Sequence, residues 1–125
     1  MQRNIRVLVV EPNKLPKEEI IPNRLQDKQK IVDGLIEYVY LEEDRDVVII
    51  CNEEGKINGS EPNRYIGHDV LFGTFIIVGD NDTGEDRSLT DEQIKKYKER
   101  FNEKSIDKTK EVISNILLKN SEIEI

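Results

Sequence analysis

The chain has no tryptophan and only one cysteine, one histidine and one methionine in 125 residues. Each scarcity removes a class of chemistry. A lone cysteine, Cys51, excludes an internal disulfide. One histidine and one cysteine do not make a structural zinc site within a single chain. The glycine-rich loops that cradle phosphates are missing, because neither a P-loop nor a G-x-G-x-x-G run occurs. Long apolar runs are missing too. The longest near the N-terminus is residues 7–10, too short for a signal peptide or a membrane span. The expectation is a protein of a reducing cytoplasm, away from membranes, with no metal and no cofactor.

What is present is charge. Charged residues make up 36% of the chain, against roughly 25% in a typical soluble domain. The apolar residues, another 36%, are clustered, which implies one folded domain with a heavily solvated surface. The net charge is −7 and it is unevenly spread. Residues 1–40 hold seven basic and six acidic side chains, residues 41–90 four and twelve, and residues 91–125 eight of each. An acidic middle repels nucleic-acid backbones, so binding to a DNA or RNA polymer is not expected. It suits a basic partner, or simply solubility.

Periodicity orders the chain. Residues 5–10, rich in β-branched side chains and stopped by Glu11-Pro12-Asn13, read as a strand. Residues 17–21, between Pro16 and Pro22, read as a short edge strand. Asn23 stands as a helix cap with Gln26 at the matching third position, and Gly34 ends that helix. Residues 35–41 form a strand with Ile36, Tyr38 and Tyr40 on one face and Glu37, Val39 and Leu41 on the other. Residues 47–52 are apolar on both faces, as in a central strand. Gly55 is expected in the left-handed region of a hairpin loop, and residues 58–68 as irregular. Residues 70–78 read as one strand, with Gly73 marking a bulge or a close contact. Thr90-Asp91-Glu92-Gln93 is a capping box, followed by a helix striped with Ile94, Tyr97 and Phe101. A last helix opens at Ser105 or Asp107 and carries Val112, Ile113, Ile116 and Leu117 on one face, its end fraying after Lys119. The sum is α+β: a single domain, a largely antiparallel sheet, one internal helix and two C-terminal helices.

Residues 51–64, CNEEGKINGSEPNR, are the most informative stretch. A simple reversal takes two to five residues. This segment spends about a dozen, which points to a working loop. Lys56, Asn58, Asn63, Arg64 and Tyr65 are the candidate ligand-binding set. Arginine forks onto phosphate or carboxylate, tyrosine stacks a base, and asparagine amides read a base edge. The plainer alternative is that Arg64 pairs with a loop acid and Asn63 caps a turn. A catalytic set is not evident: His68 beside Asp69, with Glu53 as a further acid, is the sole hydrolase candidate. Residues 80–86, DNDTGED, alternate oxygen ligands as calcium loops do, without EF-hand spacing, and otherwise read as a polar turn.

The runs Val48-Ile49-Ile50-Cys51-Asn52-Glu53-Glu54-Gly55-Lys56, Asn58-Gly59, Pro62-Asn63-Arg64, Gly73-Thr74-Phe75-Ile76-Ile77-Val78-Gly79 and Ser88-Leu89-Thr90-Asp91-Glu92-Gln93-Ile94 resemble a family known only as a domain of unknown function. That family is widespread on bacteriophages, plasmids and conjugative elements. The likeness extends from about residue 5 to residue 101. It departs at Ser60-Glu61, where relatives usually carry an apolar residue, and at Asp33, where glycine is common. It implies a family domain over residues 1–103 and a helical extension over 104–125. By context it also implies a small accessory protein of a mobile element inside a bacterial host, with interference in host defence as its role. It supplies no catalytic residues. The expected function is non-catalytic binding, of a small nucleotide signal or of a host protein. The alternatives are an acidic DNA mimic and a small hydrolase. The terminal helix either packs on the sheet or joins copies into a homodimer or higher oligomer.

Overall fold

A computed structural model of the chain describes residues 3–80 and 84–123, with side chains placed as far as residue 118. Among these described residues, seven strands and three helices follow in the order β1 (Asn4–Val10), β2 (Lys17–Pro22), α1 (Leu25–Val32), β3 (Ile36–Leu41), β4 (Asp44–Asn52), β5 (Pro62–Ile66), β6 (Asp69–Phe72), β7 (Phe75–Gly79), α2 (Asp91–Arg100) and α3 (Glu103–Ile123). The fold is α+β, as the periodicity predicts. The main sheet has the order β2-β1-β7-β4-β3, and every pairing is antiparallel. Its middle strand, β7, is buried throughout.

Strand alternation divides the apolar residues between two cores. Leu8, Val10, Ile49, Phe75 and Ile77 face α2 and pack with Ile94, Tyr97 and Phe101. The Phe75 and Phe101 rings meet edge to face at 5.5 Å. Ile5, Val7, Val48, Ile50 and Ile76 face the opposite way and pack with Val32 and Ile31 of α1. Consecutive strands β2 and β3 lie at opposite edges, so α1 crosses the sheet face between them.

Several local expectations are corrected. The N-cap of α1 is Arg24, with no side-chain cap, and not Asn23. Asn23 instead donates to the Asp86 carbonyl and accepts from Lys28 Nζ. The helix ends on Asp33, at φ 61°, one residue before Gly34. Asp33 thus holds a left-handed backbone of the kind that glycine adopts most readily. The stretch 58–68 is not wholly irregular, and 70–78 is not one strand. Pro62–Ile66 and Asp69–Phe72 form a separate antiparallel hairpin, turning on Gly67-His68 with Gly67 at φ 57°. Gly73, at φ 81°, is the break that sends the chain from β6 into β7 of the main sheet. The hairpin is thus inserted between β4 and β7, which are neighbours in the main sheet. Gly55 does not have a positive φ. Its role is proximity: a Cβ there would stand 2.6 Å from the Phe72 carbonyl oxygen.

The capping box of α2 forms as expected, with Thr90 Oγ1 accepting from Gln93 N and Gln93 Oε1 accepting from Thr90 N. α3 opens at Glu103, earlier than Ser105. Its first half packs on the hairpin, where Thr109 Oγ1 accepts from Tyr65 N. The DNDTGED stretch falls in part on residues 81–83, outside the described residues. Among those described, no cluster of three potential metal ligands occurs.

Candidate functional site

The five residues proposed as a ligand set do not share one surface. Arg64 is completely enclosed. Its guanidinium donates to the Lys14 carbonyl at 2.6 Å, to the Phe101 carbonyl at 3.0 Å and to Asn63 Oδ1 at 2.8 Å. Among the described residues no carboxylate pairs with it, and burial pulls its pKa down to about 10, still protonated at neutral pH. Arg64 therefore ties three segments together: the β5–β6 hairpin, the β1–β2 connection and the C-terminus of α2. Asn63 is also buried, and its amide bridges the carbonyls of Val10 and Gly73 at 2.8 Å each. Tyr65 is half-buried, with the Arg100 guanidinium 5.0 Å over its ring. Asn58 is exposed and spends its side-chain oxygen on the backbone and hydroxyl of Ser60. Of the five, Lys56 alone lines the cavity described next.

That cavity, of about 340 Å³, is a groove between the α2-facing side of the β3 edge and the inserted hairpin. Val39, Ile66, Val70, Leu71 and Phe72 supply apolar walls, and Cys51 borders it. The mouth is ionic. Glu37, Glu53 and Asp69 place three exposed carboxylates along the lining, where Lys56 is the one ammonium. Lys56 is itself engaged by Asp69 at 2.5 Å. The hydrogen bond from Lys56, helped by the Val70 amide, holds the Asp69 carboxyl below its usual range despite partial burial. Burial, with Glu37 nearby, pushes the Cys51 thiol up to about 11. The thiol is therefore neutral and apolar in character at pH 7.

Local chemistry explains how the groove is held open. Asn52, at the end of β4, donates to the Val32 and Asp33 carbonyls and accepts from Glu54 N. One side chain thus closes the C-terminus of α1 and starts the loop that forms one wall. Gly55 then passes against Phe72, bringing the loop onto β6. His68 lies outside the groove, exposed in the hairpin turn, and makes no hydrogen bond or ion pair with any described residue. Glu53 and Asp69 line the groove without it.

Sequence reasoning missed most of the lining, because residues 37–39, 51–57 and 66–72 meet through tertiary structure. The one visible signal is the alternation that sets Glu37 beside Val39 and Leu41. A second polar cluster also went unseen. Lys28 and Asp86, both buried, pair on the opposite face of the sheet, and the Tyr38 hydroxyl donates to the same carboxylate.

The sequence model of one domain family, a domain of unknown function designated DUF3846, matches residues 5–102. The chain belongs to that family. No curated protein and no solved structure is significantly similar to it. The DUF3846 match spans β1 to α2, so both walls of the groove lie inside the family domain and α3 lies beyond it.

Proposed function

We propose that this DUF3846 protein is a non-catalytic binding protein, and that its contact site is the groove between β3 and the inserted hairpin. One observation carries the reading: an apolar-walled cavity bordered by three exposed carboxylates and by one ammonium that is already paired. Such a mouth favours a cationic group and disfavours a phosphate. A small nucleotide signal fits poorly, because Arg64, the residue best suited to fork onto its phosphates, is enclosed and committed to carbonyls. The favoured ligand is a lysine or arginine side chain of a partner protein. The acidic middle of the chain agrees with this. The biological setting we propose is a phage or mobile element acting in the cytoplasm of its bacterial host, where occupying a host protein counters a defence.

Amide-resolved NMR titration tests the site. N-acetyl-arginine amide is expected to shift the amides of Val39, Glu53, Ile66 and Asp69, while ATP and a cyclic dinucleotide leave them in place. Shifts with the nucleotides and none with the arginine derivative would overturn the reading.

A second proposal concerns assembly. Ile116, Leu117 and Leu118 of α3 are 46%, 61% and 62% exposed, beyond the part of the helix that packs on the hairpin. A second copy of the chain is the occupant we propose for this end.

A further inference from the structure

The groove runs beside an open sheet edge. β3 is the outermost strand on its side, and no described strand pairs with its outer edge. The hydrogen-bond frame follows from one contact. Glu53 N donates to the Leu35 carbonyl, and antiparallel pairing alternates bonded and non-bonded pairs. Glu37 and Val39 therefore bond inward to Cys51 and Ile49, their register partners. The N–H and C=O groups of Ile36, Tyr38 and Tyr40 point outward, away from the sheet.

The two edges of the sheet are guarded differently. β2 begins after Pro16, ends on Pro22 and carries Lys17, Glu18 and Glu19. Glu18 is further tied to Arg6 and Lys98. Such features discourage strand addition. β3 has no proline and no lysine, and its one charged residue is Glu37. The two sides of this edge also differ in chemistry. Tyr38 and Tyr40 stand half-exposed on the side that faces α1. Glu37 and Val39 line the acidic groove on the other side.

From this geometry we propose that β3 accepts an extended peptide segment of a partner protein as a sixth strand. The segment alternates basic and apolar residues. Its arginine or lysine side chains enter the groove toward Glu37 and Glu53, and its apolar side chains rest on Tyr38 and Tyr40. Main-chain bonds to Ile36, Tyr38 and Tyr40 supply affinity independent of sequence, and the alternation supplies specificity. This inference rests on the groove reading above and adds the class of ligand and its mode of attachment.

The test uses an acetylated, amidated hexapeptide of alternating arginine and valine, followed by NMR against the full chain. Two N-methylated versions carry methyl groups on alternate amides, one in each frame. Only one frame faces β3 in an added strand. Methylation in that frame is expected to weaken binding by about tenfold or more, through lost hydrogen bonds and steric clash, and methylation in the other to leave it nearly unchanged. A glutamate–valine peptide is expected not to bind. Equal binding by both methylated versions, with shifts at the groove, would overturn strand addition and leave the groove reading standing. Binding of N-acetyl-arginine amide without binding of the peptide would do the same. If neither binds, both readings fall. Equal affinity for the glutamate peptide would overturn the charge matching.

Discussion

Arg64 is a latch, and its replacement is expected to act on folding first. Arg64→Ala removes the donor from the Lys14 and Phe101 carbonyls and leaves a void among buried side chains. The expected cost is about 2–4 kcal/mol, read as a lowered urea midpoint. Full stability in the variant would contradict the latch. Asp44 gives a pH signature. Burial pushes its carboxyl up, but bonds from the Tyr97 hydroxyl, the Asp46 amide and Lys96 outweigh this and hold it below the usual range. A depressed folded pKa contributes stability that is present above the unfolded value, about 3.9, and is lost as pH falls through the folded value. Asp44→Asn should therefore be less stable than the parent at pH 7. The gap should close as the pH falls below about 4. Urea midpoints across that range decide it, and a gap constant with pH would contradict the assignment.

Elements differ in how far their own residues specify them. The capping box of α2 lies within four consecutive residues, so it was legible, and Thr90→Ala is expected to cost about 1 kcal/mol. The strands β1, β3 and β4 were equally plain, because alternation and β-branched runs are local signals. The N-terminus of α1 was not. Asn23 looked like a cap, but its side chain is drawn to Lys28 and the Asp86 backbone, partners set by tertiary structure. The inserted hairpin was missed for a related reason. β5 holds Asn63 and Arg64 in its interior, residues that read as loop chemistry until their buried carbonyl partners are known. Gly55 belongs to the same lesson, since its requirement comes from Phe72, distant in sequence. Gly55→Ala is expected to cost about 1–3 kcal/mol, because a backbone oxygen has to yield. It should also shift the amides along β6, where the loop no longer seats. An unchanged β6 spectrum would remove the close approach from the account.

In the molecule as a whole, an antiparallel sheet with α1 on one face and α2 and the inserted hairpin on the other sets an acidic groove beside an unguarded sheet edge. Composition locates the acidic excess in residues 41–90 but does not say which carboxylates border the groove, and Glu37, from outside that range, is one of them. α3 extends this body past its packed half, and the proposal of a second copy predicts dimers by light scattering that Leu117→Glu converts to monomers. A monomeric parent chain would end that proposal without touching the groove. Glu37 and Glu53 are both exposed, and neither side chain makes a hydrogen bond or ion pair with a described residue. The most direct measurement is the affinity of the arginine–valine peptide for the chain and for the Glu37→Gln/Glu53→Gln variant at low and high salt. Binding is expected to be about tenfold weaker in the variant, with a flatter salt dependence. Equal affinity and an equal salt slope for the two proteins would contradict it.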